Sequence, residues 1–91
     1  MGAPDVSEVI ADAVTATAGV AGLHGGMFGE AATYLPGRRV SGVRIREDGS
    51  VDVHVILRQG SPIPATADAI RTAVAAVADG PVHVTVEDVI R

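Results

Sequence analysis

Residues 40–57 read VSGVRIREDGSVDVHVIL, and apolar and polar side chains alternate on both sides of a central EDGS. Before that tetrapeptide, Val43 and Ile45 alternate with arginines. After it, apolar residues return at every second position: Val51, Val53, Val55 and Leu57. A period of two is the spacing of side chains on one face of a strand, and Asp-Gly is a common hairpin turn. The stretch therefore predicts an antiparallel hairpin with one apolar face.

The segment before this hairpin carries the pattern of an amphipathic helix. Asp5 followed three residues later by Glu8 is the spacing of a capping box, and Gly19 supplies a stop. Apolar residues recur between them at three-and-four spacing and predict a buried stripe: Val6, Val9, Ile10, Ala13 and Val14. Polar residues on the other side of the helix are predicted to face water: Ser7, Glu8, Asp12 and Thr15.

A second helix and a last strand are predicted after the hairpin. Ser61 and Pro62 suit a helix start, and an apolar stripe follows: Ile63, Ala67, Ile70, Val74 and Val77. Alternation returns at residues 82–89, and a strand–helix–strand unit places its strands parallel and right-handed. We predict one domain, residues 1–91, of the α/β (α+β) class. It is a two-layer sandwich in the order helix-strand-strand-helix-strand, with two helices on one face of a small mixed sheet.

Composition and charge argue against several classes of function. The chain has 91 residues, no cysteine and a net charge of −4. Without cysteine there are no disulfides, thiolate nucleophiles or sulfur-ligated metals, which fits a reducing compartment. Residues 1–37 contain four carboxylates and no Lys or Arg. Because a phosphate backbone selects for clustered cations, we do not expect nucleic-acid binding.

The sequence predicts neither a secretion signal nor a membrane span. The first cation is Arg38, so no basic region precedes an apolar one near the start. The uncharged residues 13–29 are rich in glycine and contain His24, and they are too short and polar to cross a bilayer. We expect a cytoplasmic protein without direct membrane insertion, whose membrane association comes through a partner.

Residues that could carry chemistry are scattered along the chain. His54 and His83 are expected on the polar face of the sheet near Asp52 or Glu87, but their spacing matches no metal motif. There is no Gly-x-Ser-x-Gly elbow, and no carboxylate pair is placed for acid–base work. We therefore predict no catalytic residue, no cofactor and no metal, and a protein that is not an enzyme.

The segment between the first helix and the hairpin holds both aromatic residues of the chain and its internal methionine. Connections as long as residues 24–39 are often functional in compact domains. Aromatic residues, Met and Arg are enriched where proteins contact one another. We predict seven partner contacts in this segment: Met27, Phe28, Tyr34, Leu35, Pro36, Arg38 and Arg39. The alternative is that its apolar residues fold back over the open end of the core.

Two further features bear on partners. The predicted strands contain neither Lys nor Pro to protect a sheet edge, so strand addition between copies predicts a homo-oligomer. Residues 26–29, GMFG, match the Gly-x-x-Gly loop of KH domains. An RNA- or ribosome-associated KH-like domain is therefore the alternative function.

Several stretches together carry a family resemblance: GVAGL at 19–23, VRI at 43–45, DVHV at 52–55, IP at 63–64 and VHVTVEDV at 82–89. With them stands FGEAATYLPGRRV at 28–40. On these residues the chain resembles the alkaline shock protein family of bacteria, and residues 28–40 resemble its short members from GC-rich genomes. The resemblance implies a non-enzymatic, self-associating protein of envelope or general stress that binds a membrane-anchored partner. The chain departs from many members at Gln59, where they have an aromatic residue before the glycine.

Overall fold

The structure, a computed structural model, describes residues 4–91. Its helices are α1 (Val6–Thr15) and α2 (Ile63–Ala75). Its strands are β1 (Val20–Leu23), β2 (Ala32–Leu35), β3 (Arg38–Ser41), β4 (Val43–Ile45), β5 (Val51–Arg58) and β6 (Val82–Ile90). Neither helix has the length and apolar character needed to cross a bilayer.

Strand β5 is the centre of a four-stranded mixed sheet. β6 pairs with β5 in parallel, as predicted for strands joined by a helix. β1 and β4 are both antiparallel to β5 and lie end to end along its other edge, β4 beside residues 51–53 and β1 beside residues 55–57. Between them, the His54 N–H donates to the Gly42 carbonyl and the His54 carbonyl accepts from the His24 N–H, each at 2.9 Å. Backbone pairing therefore continues across the gap between β1 and β4.

The core lies between this sheet and the two helices. Four residues of β5 on the helix side are at most 1% exposed: Val51, Val53, Val55 and Leu57. The helices contribute four more fully buried residues: Ile10, Val14, Ile70 and Val74. Burying each such side chain stabilises the fold by about 1.5–3 kcal/mol. The predicted class, an α+β fold with both helices on one sheet face, is confirmed.

Helix α1 begins as predicted but buries one residue that was expected in water. The Asp5 N–H donates to the Glu8 carboxylate at 3.0 Å, and the Asp5 carboxylate accepts the Ser7 N–H at 3.0 Å, which forms the capping box. Ser7 is fully buried, whereas Val6 of the predicted stripe is exposed. The Ser7 hydroxyl donates to the Asp5 carboxylate, so this buried polar group is satisfied.

The predicted element order misses three strands. β1 follows Gly19 and pairs with β5, while β2 and β3 pair only with each other in a separate antiparallel sheet. Val40 belongs to β3 and not to the central hairpin, because Gly42 at φ +87° turns the chain between β3 and β4. The Asp48–Gly49 turn of that hairpin is confirmed, with Gly49 at φ +89°.

Candidate functional site

Residues 24–42 form an inserted segment that leaves the main sheet after β1 and returns to it before β4. The sequence predicts a connecting loop over residues 24–39, but the structure places the β2–β3 hairpin within the segment. Pro36 and Gly37 form its two-residue turn, with Gly37 at φ +74°. A Pro-Gly pair between two short runs of strand-forming residues is the signal that could have revealed this hairpin.

The β2–β3 hairpin has one face toward the domain and one face toward solvent. On the inward face, the Thr33 hydroxyl donates to the Val43 carbonyl at 2.6 Å. The Arg38 guanidinium on the same face donates two hydrogen bonds to the Glu8 carboxylate of α1, at 2.9 and 3.1 Å. These hydrogen bonds, with the one from the Asp5 N–H, lower the pKa of Glu8. The hairpin is thereby attached to the start of α1.

Tyr34 and Arg39 form the outward pair of the hairpin. They stand opposite each other in the β2–β3 register, one residue away from the inward-facing Thr33 and Arg38. Side chains opposite each other in an antiparallel pair lie on the same face, and their Cβ atoms are about 4.5–5.5 Å apart. The Tyr34 ring is 69% exposed. An aromatic ring and a guanidinium therefore lie side by side on the solvent face.

Met27 and Phe28 occupy the tip of a tight turn in the same segment. The Gly29 N–H donates to the Gly26 carbonyl at 3.2 Å, and both glycines have positive φ. Met27 is 81% exposed and Phe28 is 88% exposed. Neither side chain covers the core, so the alternative that this part of the segment caps the core does not fit it.

The structure divides the seven predicted contact residues into two sets. Six are exposed: Met27, Phe28, Tyr34, Pro36, Arg38 and Arg39. Leu35 is half-buried, and of the exposed six Arg38 is engaged with Glu8. We call Met27, Phe28, Tyr34 and Arg39 the candidate contact surface, because they are exposed and belong to the residue types enriched where proteins contact one another. Whether these residues contact a partner remains a prediction.

The GMFG sequence does not have the surroundings of a KH loop. In KH domains this loop clamps a nucleic-acid backbone, and the KH reading of the sequence requires the loop to lie between two helices. Here residues 26–29 turn between β1 and β2, and the next residue is the acidic Glu30. The positive φ of its glycines accounts for their presence.

The polar face of the sheet brings together a different set of residues from the one predicted. His54 Nδ1 lies 2.6 Å from Glu87 Oε2, and Glu30 of the inserted segment joins this pair. His83 stands opposite Asp52 in the register and is exposed, outside that group. Sequence reasoning missed Glu30 because it treated that residue only as part of a loop. Its distance along the chain from the two strand residues follows no recognised motif.

Glu30 is held by the backbone of its own turn. Its carboxylate accepts the Phe28 N–H at 2.9 Å. A side chain at Gly26 would place its Cβ 2.5 Å from that carboxylate, so the glycine leaves room for it. Hydrogen bonds from its own N–H and from Phe28 lower the pKa of Glu30.

Two concavities of the described chain hold little that could act on a substrate. One, of about 430 Å³, is lined by small residues and has no titratable side chain: Ala18, Gly19, Gly60, Ser61, Pro62, Ala65, Thr66 and Ala69. The other, of about 270 Å³, lies among residues of α1, the β4–β5 hairpin and the segment that follows α2, and Asp79 is its single titratable residue. Neither resembles a catalytic centre, which needs several convergent polar groups.

Comparison of the chain with models of protein families, with curated proteins and with solved structures gives no match.

Proposed function

We propose that this chain is a non-enzymatic protein-interaction module that binds a protein partner through the candidate contact surface. The observation that carries the proposal is the high exposure of Met27, Phe28 and Tyr34 in a segment that is otherwise attached to the fold. Met27 and Phe28 are neighbours in one turn, and large apolar side chains exposed next to each other by a structured segment are typical of interaction sites. Aromatic residues, Met and Arg are also the types most enriched there.

The attachment of the segment favours binding. Its two ends are closed by backbone hydrogen bonds to His54, and its hairpin is held by Thr33 and by Arg38. A surface that is already ordered loses less conformational entropy when a partner binds. Exposed aromatic side chains on such a base are candidates for the few residues that supply most of the binding energy.

Self-association is the second part of the proposal, and strand β6 is its proposed site. β6 is nine residues long and pairs with β5 on one edge, while in residues 4–91 no strand pairs with its other edge. Neither Lys nor Pro occurs in it. Such an edge accepts a strand from another chain. We propose that a second copy adds its β6 there and forms a homo-oligomer.

The resemblance to the alkaline shock protein family gives this module a cellular setting. It supports a role in envelope or general stress, in the cytoplasm, with a membrane-anchored protein as the partner. The module would then reach the membrane through that protein.

Cross-linked affinity capture from the native cells tests the contact surface. The chain is compared with a Phe28→Ala, Tyr34→Ala double variant and with an Ile63→Ala, Val77→Ala control, whose residues are exposed elsewhere. We expect one protein partner to be captured by the chain and by the control but not by the contact-surface variant. Equal capture by all three would refute this surface, and capture of RNA that is lost at high salt would favour the KH-like alternative.

Light scattering after size exclusion tests self-association. Thr85 is exposed on β6 and Thr72 is exposed on α2, so Thr85→Lys and Thr72→Lys add the same charge at the edge and away from it. We expect an oligomer for the chain and for Thr72→Lys, and a monomer for Thr85→Lys. A monomer at every concentration would contradict the proposed edge contact.

A further inference from the structure

Three potential metal ligands meet where the inserted segment lies against the polar face of the sheet. Glu30 comes from the inserted segment, His54 from β5 and Glu87 from β6. One ligand atom of each residue lies within 4.8 Å of the other two. Zn²⁺ binds nitrogen and oxygen at about 2.0–2.2 Å, so tetrahedral ligands lie roughly 3.4 Å apart. The His54–Glu87 distance of 2.6 Å would therefore open, and the distances to Glu30, at most 4.8 Å, would close, each by on the order of 1 Å around an ion.

The charges of this group favour a bound cation. Within residues 4–91 the arginine–carboxylate bridges go to other acidic residues: Glu8, Asp52 and Asp68. Glu87 pairs with His54, and the same imidazole acts electrostatically on Glu30. One imidazole carries at most one positive charge and cannot alone balance two carboxylates. His54 and Glu87 are only 15% and 21% exposed, so the remaining charge repulsion is less screened than in water.

Each carboxylate is positioned by the backbone around it. The β5–β6 register pairs Val55 with Val86 and then Ile56 with Asp88, which leaves Glu87 at a bulge. Bulges redirect side chains and are common beside functional sites. Glu30 is positioned by the turn described above. The two acidic side chains come from different elements, and both lie beside His54. Acidic residues that only face solvent would not need this arrangement.

From this geometry we infer that Glu30, His54 and Glu87 bind a divalent transition-metal ion, for which Zn²⁺ is the probe. An imidazole nitrogen favours transition metals, whereas sites of carboxylates alone suit Mg²⁺ and Ca²⁺. Three protein ligands leave one position of a tetrahedral ion open to water. Because Glu30 belongs to the inserted segment, the ion ties that segment to both β5 and β6. Metal binding therefore adds a further attachment for the turn that carries Met27 and Phe28.

Calorimetric titration of the untagged, EDTA-treated chain with ZnCl₂ tests this site. We expect one Zn²⁺ per chain and a rise in Tm on its addition, because the ion binds the folded form. Glu30→Gln, His54→Gln and Glu87→Gln should each weaken the Kd at least about tenfold. His83→Gln is the matched control, since His83 is exposed on the same sheet face outside the group. Its Kd should stay that of the unchanged chain.

Co²⁺ absorption gives a second readout that does not depend on heats of binding. A tetrahedral Co²⁺ spectrum is expected for the chain and for His83→Gln and should be lost in Glu30→Gln. Glu30 is exposed, so its substitution keeps the test valid even where a β5 or β6 variant fails to fold. Absence of Zn²⁺ binding, tighter binding of Mg²⁺ or Ca²⁺, or an equal Kd in Glu30→Gln and the unchanged chain would overturn the inference.

Discussion

Replacing Gly42 by alanine should destabilise the protein more than replacing any glycine in open space. Gly42 has φ +87°, and an added Cβ would lie 2.7 Å from the Leu23 Cβ, 2.9 Å from the His54 carbonyl oxygen and 3.1 Å from the His24 nitrogen. The left-handed backbone costs an alanine about 1–2 kcal/mol, and crowding in a packed site costs about 1–3 kcal/mol. Lower entropy of the unfolded chain returns about 0.4–1 kcal/mol. The net loss is about 3 kcal/mol.

Two controls separate these contributions. Gly29 has φ +73° but no atom near its added Cβ, so Gly29→Ala should cost only about 1 kcal/mol. Gly22 has neither positive φ nor a close neighbour, so Gly22→Ala should be neutral or slightly stabilising. Urea unfolding followed by circular dichroism measures all three. If Gly42→Ala were no less stable than Gly29→Ala, Gly42 would not be crowded by Leu23, His24 and His54 where the inserted segment rejoins the sheet.

Three further outcomes are expected. Leu57→Ala removes a fully buried side chain and should cost about 2–5 kcal/mol in urea unfolding, while a loss below 1 kcal/mol would mean that the helices do not pack there. Hydrogen bonds from the Ser50 hydroxyl and N–H lower the pKa of Asp48, so the folded state favours the charged carboxylate. The charged carboxylate therefore stabilises the fold above the unfolded pKa of about 3.9, and this stabilisation is lost as the pH falls through the lower folded pKa. Asp48→Asn should therefore flatten the acid limb of Tm against pH, and an unchanged limb would contradict it. Arg38→Ala should speed amide hydrogen exchange in the β2–β3 hairpin, because Arg38 binds Glu8 of α1, whereas Arg39→Ala should leave the exchange unchanged. Equal exchange in both variants would argue against that attachment.

The elements that could be predicted from the sequence are those in which apolar residues recur at a regular spacing. The alternating apolar residues of β5 identify the central strand because one side of the strand is packed and the other is not. The inserted segment has no such period, since its short strands pair only with each other and bury little. The position of Glu30 beside His54 could not be predicted, for a related reason. Its meeting with His54 depends on where a turn places it in space, which spacing along the chain does not encode.

The anchoring of the inserted segment also explains why its exposed side chains call for a functional account. Both ends of the segment are closed by the peptide groups of His54, which any residue but proline would supply equally well. The hairpin is then held by Thr33 and Arg38, on the face opposite Tyr34 and Arg39. Within residues 4–91, Phe28 is 88% exposed, so its side chain contributes little to holding the segment. Polar residues at such positions would cost the fold little and would reduce unwanted association, so large apolar side chains there are better explained by binding than by folding.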